Sequence, residues 1–185
     1  MYLPQGLNEL NVTAPNGATV NGITTLRGAS QKASDTDAAN VYRSEAEALP
    51  LAGTARVQTV ASGTVRDVGY IGNGAGNTLS IPRPSGFGAG DYQLVLGAAN
   101  ADKSTSINYN PQLISRFLNI TETGAATTRT VFRHNYAWNS YWDKTVPLSL
   151  TTAGGTLVLG NPTAYGPDID TVTLAKLVAG TPTIQ

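Results

Sequence analysis

The chain contains 185 residues, enough for one domain with a sizeable core and an additional short segment. Basic residues (Lys and Arg) and acidic residues (Asp and Glu) number 12 each, so no excess charge favours nucleic acid or an anionic membrane as a partner. Cysteine is absent, which excludes disulfides, thiolate catalysis and zinc–thiolate sites. No apolar run is long enough for a membrane-spanning helix, and no signal peptide is visible.

Three segments are distinguished by composition. Residues 1–28 contain two strand-like runs, and residues 29–39 (ASQKASDTDAA) are small and polar without periodicity, as is typical of a linker. We therefore predict an N-terminal extension and linker over residues 1–38, a β-domain over residues 39–178 and a tail over residues 179–185.

Short alternations of apolar residues recur from residue 41 onward, and glycine or proline separates most of them. The clearest places Tyr92, Leu94 and Leu96 on one face of a strand. No window has the apolar spacing of a helix, so the sequence predicts an all-β fold, a β-sandwich of two sheets. The predicted strands include residues 42–48, 55–60, 65–71, 77–81, 91–99, 115–121 and 128–133, followed by strands around 146–150, 157–159 and 170–174.

Three acidic residues suggest a metal site. Asp170 has the same parity as Val172 and Leu174, so its carboxylate should point inward, where it needs a positive or hydrogen-bonding partner. Glu45 and Glu47, two residues apart in a predicted strand, should share a face. On these two residues alone, an edge strand with a charged, solvated face is the favoured interpretation. Calcium becomes attractive only if Asp170 and carbonyl oxygens converge with them, because Ca²⁺ takes about 6–8 oxygen ligands.

Catalytic signals are weak. His134 is the single histidine, and no serine lies in a nucleophile-elbow pattern. The glycine-rich segments 72–76 and 86–90 precede strand-like runs instead of helices, so they are better interpreted as turns than as phosphate loops. A glycosidase needs two carboxylates across a cleft. The spacing selects no pair among Asp91, Asp102, Glu122, Asp143 and Asp168.

An aromatic cluster, HNYAWNSYW, contains Tyr136, Trp138, Tyr141 and Trp142. A sandwich needs large apolar residues in its core, whereas an aromatic side chain on a polar loop can stack on the apolar face of a sugar. We expect one tryptophan to belong to the core and the other to a sugar site.

The ordered set of motifs resembles carbohydrate-binding module family 35, which is close to family 6. The resemblance covers about residues 40 to 176. It rests on YRSEAEA (42–48), VGYIG (68–72), GDYQL (90–94), AN (99–100), RFLNI (116–120), Trp138, Tyr141, VPL (146–148), AG (153–154) and GPDID (166–170).

The resemblance implies a β-jelly-roll without catalytic activity that is appended to a secreted glycoside hydrolase. It also implies a structural calcium ion held by Glu45, Glu47, Asp170 and loop carbonyls. The family's sugar site lies in loops at one end of the sandwich. Carried over by position, that site contains Asn100, Arg116, Trp138, Asn161 and, from its loop, Tyr165.

These inferences predict a monomeric, extracellular module that brings its parent hydrolase to a polysaccharide, without a nucleic-acid or membrane partner. The bound unit would be of the galactosyl, mannosyl or uronic acid type. One alternative is a purely structural accessory sandwich that packs on a catalytic domain and binds no ligand. Another is a small β-fold glycosidase or lyase.

Overall fold

The computed structural model describes residues 31–33, 41–60, 63, 65–104, 113–122, 127–151 and 155–179. These residues form twelve β-strands, and every pairing between them is antiparallel. The strands are β1 (Gln31–Ala33), β2 (Val41–Glu45), β3 (Leu51–Ala52), β4 (Arg56–Thr59), β5 (Arg66–Gly69), β6 (Thr78–Pro82), β7 (Gly90–Ala99), β8 (Arg116–Glu122), β9 (Thr127–Phe132), β10 (Trp142–Leu150), β11 (Thr156–Gly160) and β12 (Asp168–Ala179).

The two sheets pack face to face. The seven-stranded sheet has the order β10-β7-β12-β5-β4, and β2 and β1 also pair with β12. The five-stranded sheet has the order β3-β6-β11-β8-β9. The predicted all-β sandwich of two antiparallel sheets is confirmed.

The core lies between the sheets because alternate residues of each strand point inward. In β7 the inward residues Tyr92, Leu94 and Leu96 are fully buried, as their alternation predicts. Leu157 and Leu159 of β11 face them from the other sheet and are equally buried.

Local details differ from the sequence-based prediction where the elements are too short for periodicity to appear. The expected strand over residues 42–48 ends at Glu45, and a 3-10 helix (Ala46–Ala48) follows it. The short strand β1 lies inside the segment predicted as a linker, and β3 was not predicted. No helix within the described ranges has the length and apolar character to cross a membrane. Residues 1–30 and 180–185 lie outside the described residues.

Asp170 does not point into the core as its parity suggested. The register of β12 against β7 shifts between Ile169 and Thr171, which marks a β-bulge at Asp170. Ile169 and Val172 are therefore both buried, three residues apart, while Asp170 is only partly buried. A bulge inserts one residue and re-aims the side chains around it, so strict alternation fails there.

The strand ends divide the connecting segments between two ends of the sandwich. The β3–β4, β5–β6, β7–β8, β9–β10 and β11–β12 connections lie at one end, which we call the apical end. The opposite, basal end contains a buried ion pair in which Arg83 Nη2 lies 2.7 Å from Glu122 Oε1. Glu122 Oε2 also accepts hydrogen bonds from the backbone N–H and the hydroxyl of Thr151. These contacts join the ends of three strands far from the apical loops.

The basal ion pair generates a stability prediction. Arg83→Met should lower the free energy of unfolding by about 3–5 kcal/mol, because it leaves the Glu122 carboxylate buried without its cation. The double variant Arg83→Met/Glu122→Leu should recover part of the loss. Urea denaturation measures both, with the exposed Arg66→Met as the matched control. If Arg83→Met lowers the free energy of unfolding no more than Arg66→Met does, the Arg83–Glu122 ion pair does not stabilise the basal end.

Candidate functional site

Two apical loops are joined into one rigid unit by backbone hydrogen bonds. The N–H of Asn73 donates to the carbonyl of Ala164 at 2.8 Å, and the N–H of Gly166 donates to that of Ile71 at 2.7 Å. Gly72, at φ +92°, lies where the loops touch, and a Cβ there would collide with the Ala164 carbonyl oxygen. The β5–β6 loop therefore supports the β11–β12 loop directly.

Asn161, predicted to contact sugar, is buried within this unit. Its Oδ1 accepts hydrogen bonds from the N–H and hydroxyl of Thr163 and from the N–H of Ala164, at 3.1 to 3.3 Å. Its Nδ2 donates to the carbonyl of Phe117 at 3.1 Å. The side chain is 1% exposed, so it folds the β11–β12 loop and attaches it to β8.

Asn100, also predicted to contact sugar, has a similar placement at the end of β7. Its Nδ2 donates to the carbonyls of Ile114 and Phe132 at 2.8 and 3.2 Å, and its Oδ1 accepts from the N–H of Asp102 at 3.2 Å. Both amide hydrogens are used, and the residue is 1% exposed. Asn100 shapes the apical end from beneath.

Asn135 holds the β9–β10 loop in the same way, and the sequence analysis did not identify it. Its Oδ1 accepts the N–H of Asn100 at 2.7 Å, and its Nδ2 donates to the carbonyls of Ala98 and Ser140. In the sequence, Asn135 is distinguished only by its position beside a cluster of aromatic residues.

Arg116 and Trp138, two of the predicted site residues, lie together. The guanidinium carbon of Arg116 is 4.8 Å from the centroid of the Trp138 ring, a cation–π contact. Arg116 Nε donates to Asp102 Oδ2 at 3.0 Å, and its Nη1 donates to the Gly166 carbonyl at 2.8 Å. These contacts fix the guanidinium and compensate its charge.

A cleft of about 340 Å³ opens beside this ion pair. Tyr165, which is 37% exposed, forms part of its wall, as does Thr163. The Tyr165 ring packs edge-on against Tyr70, with centroids 5.7 Å apart, and the Arg56 guanidinium covers the Tyr70 ring at 3.6 Å. The cleft thus combines an exposed aromatic ring with hydroxyl, amide and ion-pair groups. Of its lining residues, the sequence analysis had not placed Asn73, Asp102 and Thr163 in the sugar site.

The expectation that one tryptophan belongs to the core is wrong. Trp138 is partly buried beneath Arg116, and Trp142 is 48% exposed. Aliphatic residues together with Tyr92, Phe87 and Phe132 fill the core instead.

The three acidic residues predicted to bind calcium lie in one neighbourhood. Burial, and next the charges of Glu45, Glu47 and Asp67, raise the pKa of Asp170. Glu47 Oε2 is buried without a hydrogen-bond partner. Within the described ranges, however, no three Asp, Glu or His side chains converge closely enough to hold a metal ion.

A second acidic pair, Asp67 and Asp168, lies beside them and was not predicted. Asp67 is fully buried and accepts a hydrogen bond from the Tyr141 hydroxyl at 2.8 Å, whereas Asp168 accepts one from Gln58 at 2.7 Å. Burial, and next the charge of Asp67, raise the pKa of Asp168 to about 7. Because Tyr141 ends the β9–β10 loop, this pair also attaches that loop to β5.

Comparison with known proteins identifies similar chains. A family 35 carbohydrate-binding module from Clostridium thermocellum is 32% identical, with a TM-score of 0.59, and the match covers 74% of this chain and 98% of that module. An exo-β-1,3-galactanase from Phanerochaete chrysosporium, crystallised with galactose, shares the fold at 20% identity and a TM-score of 0.58, over 72% of this chain and 29% of the galactanase.

A longer relative is similar over nearly the whole sequence. The 3-O-α-D-galactosyl-α-L-arabinofuranosidase of Bifidobacterium longum subsp. longum is 26% identical over 95% of this chain, which spans 18% of that enzyme's length. No protein-family model matches the chain.

The acidic pair predicts a pH dependence of stability. The folded state holds the Asp168 proton up to pH about 7, while the ordinary carboxyl pKa is 3.8, so the folded state binds more protons between these values. Stability should therefore fall as the pH rises through this window. Asp168→Asn should reduce that slope, and the exposed Asp143→Asn should not. Urea denaturation across this pH range, with chelator present, measures the slope of the free energy of unfolding against pH. Equal slopes in the wild type and in Asp168→Asn would show that Asp168 is not the group with the raised pKa.

Proposed function

The chain belongs to carbohydrate-binding module family 35, and on that premise we propose that it binds a neutral galactosyl unit in the apical cleft without catalysing a reaction. The observation that carries this proposal is the exposed Tyr165 ring beside the Arg116–Asp102 ion pair. The cleft volume of about 340 Å³ falls within the range of small-ligand sites.

The chemistry of the cleft matches a sugar ring. Arg116 donates hydrogen bonds, Asp102 accepts them, and the Thr163 hydroxyl and the Asn73 amide do both. Sugar hydroxyls also donate and accept. The Tyr165 ring offers an apolar surface for the C–H face of the sugar. The Tyr70 ring and the Arg56 guanidinium behind it support the position of Tyr165.

The charge of the cleft favours a neutral sugar over a uronic acid. Asp102 lies 3.0 Å from Arg116 and compensates its charge, so a sugar carboxylate would have to displace an existing ion pair. Between galactosyl and mannosyl units, the relative named 3-O-α-D-galactosyl-α-L-arabinofuranosidase supports the galactosyl type.

The predicted residues then divide into two roles. Tyr165 and Arg116 contact the sugar, whereas Trp138 acts through Arg116 by holding its guanidinium. Asn100 and Asn161 maintain the loops that carry these contacts. The module serves a parent hydrolase outside the cell, and it acts as a monomer.

We also propose a structural calcium ion near Glu45, Glu47 and Asp170. Hard carboxylate oxygens suit Ca²⁺, and the buried, unpartnered Glu47 Oε2 is a ready ligand. Burial, and next the negative charges of Glu45, Glu47 and Asp67, raise the pKa of Asp170, and the ion would neutralise these charges. Small rotamer changes would have to bring the three side chains together.

Binding to the apical cleft is tested by isothermal titration of galactose and β-1,3-galactobiose. Tyr165→Ala should raise the Kd about tenfold or more, equivalent to about 1.4 kcal/mol, because the stacking surface is lost. Arg116→Gln should have a comparable effect. Tyr136→Ala is the matched control, since this tyrosine is 67% exposed and lies outside the cleft.

A wild-type chain that binds no glycan in a galactosyl, mannosyl and uronate panel would favour the purely structural alternative. Release of reducing ends from such glycans would reveal an enzyme.

Calcium is tested by thermal unfolding with and without chelator. An ion that binds only the native state contributes about 2.7 kcal/mol at about a hundredfold excess over its Kd, so chelation should lower the Tm. Asp170→Ala should remove this sensitivity, and Asp143→Ala on the neighbouring surface should retain it. The calcium proposal fails if chelator leaves the melting curve of the wild type unchanged.

A further inference from the structure

Asn73, in the β5–β6 loop, is the only asparagine of the described residues that is followed by glycine. Its side chain is exposed and lines the apical cleft, and it forms no hydrogen bond with the described residues. The side-chain amides of Asn77, Asn100 and Asn161, by contrast, are held by hydrogen bonds within the fold. The Asn73 amide is therefore free to react.

The backbone nitrogen that follows Asn73 is weakly held. Asn73 has φ +53°, in the left-handed region, and Gly74 has φ +149°. Gly74 has no side chain to hinder an approach to its nitrogen. Its N–H donates to the Asn161 carbonyl at 3.3 Å, whereas the N–H of Asn73 donates to the Ala164 carbonyl at 2.8 Å. The longer distance marks the weaker restraint.

A hydrogen-bond donor lies beside the oxygen that would take up negative charge if this nitrogen lost its proton. The Gly74 nitrogen and the Asn73 carbonyl oxygen belong to one amide, so a negative charge on the nitrogen spreads to the oxygen. Asn77 Nδ2 donates to that oxygen at 3.3 Å. A donor placed where charge develops stabilises the charge. The loop therefore favours the deprotonated nitrogen, which is the nucleophilic form.

We propose that Asn73 is a self-modification site, which converts to aspartate or isoaspartate and so changes the charge of the apical cleft. Hydroxide removes the Gly74 amide proton, and the nitrogen attacks Cγ of Asn73. The bond from Cγ to Nδ2 breaks, and the amide group takes up a proton from water and leaves as ammonia. A water molecule then adds to either carbonyl of the five-membered succinimide and opens the ring. No group is oxidised or reduced.

Both products alter the cleft. Each adds a negative charge where Asp102 already compensates Arg116. Isoaspartate also inserts a methylene group into the main chain, between the two N–H groups that bond to the carbonyls of Ala164 and Asn161. These bonds join the β5–β6 loop to the loop that carries Tyr165, so conversion should weaken sugar binding. This consequence rests on the proposed galactosyl site, whereas the conversion itself does not.

The test incubates the full, folded chain in heavy-oxygen water at several alkaline pH values. Peptide mapping by mass spectrometry then measures the conversion of each asparagine. Asn73 should gain one heavy oxygen and lose its amide about tenfold or more faster than Asn139, which is also exposed but precedes serine. The rate at Asn73 should rise in proportion to hydroxide. A folded chain that keeps the Asn73 amide under conditions that convert it in urea, or that converts Asn139 equally fast, would overturn the proposal.

Asn73→Gln is the matched variant, because its longer side chain would have to close a six-membered ring, which is much slower. Incubation should reduce the galactobiose-binding fraction of the wild type by the fraction converted at Asn73. The binding of Asn73→Gln should stay at the value of its own fresh sample. The Asn-Gly pairs at 16–17 and 21–22, outside the described residues, are present in both chains. If the fresh wild type binds no galactobiose, the peptide map still tests the conversion; conversion without loss of binding would overturn the effect on the cleft.

Discussion

The pairing of β12 with β7 is the constraint on which both proposed sites, for sugar and for calcium, depend. Asp168 pairs with Ala99, which sets the β11–β12 loop beside the loop that begins at Asn100. On its other edge, β12 pairs Thr171 with Glu45. One strand therefore positions the apical loops of the proposed sugar site on one side and the acidic neighbourhood on the other. The bulge between Ile169 and Thr171 lies between them and turns Asp170 away from the core.

Electrostatics gives the concave surfaces different chemistry within a chain of zero net charge. In the apical cleft the Arg116 charge is matched by Asp102, so hydrogen-bonding capacity remains without a net field. Carboxylates accumulate around Asp67, Asp168 and Asp170, and burial, with a further contribution from neighbouring carboxylate charges, raises the pKa of all three; the arrangement suits a cation. The zero net charge of the whole chain therefore gives no indication of this local accumulation of negative charge.

Periodicity predicted the fold because burial follows alternation in long strands. The inward residues of β7 and β11 were read directly from the sequence, and the class and two-sheet architecture followed. Short elements carry too few residues for a pattern, which explains the missed strands β1 and β3. The bulge at Asp170 cannot be read from alternation, because it is set by pairing with a distant strand.

The candidate site was predictable only in part. Family motifs led to the apical end of the sandwich, where Arg116 and Trp138 meet. Motifs did not reveal that Asn100 and Asn161 are occupied by hydrogen bonds within the fold, since the carbonyls to which their amides donate belong to residues distant in sequence, Ile114, Phe132 and Phe117. Asp67 gave no signal for the same reason, because its partner Tyr141 is 74 residues away.

The most direct test of the account is amide chemical-shift mapping by NMR with galactobiose. If galactobiose binds in the apical cleft, the largest amide shifts should fall on residues 163–165, on Asn73, and on Asp102 and Arg116. Shifts confined to the outer face of the seven-stranded sheet, or to residues 131–144 alone, would contradict the apical site.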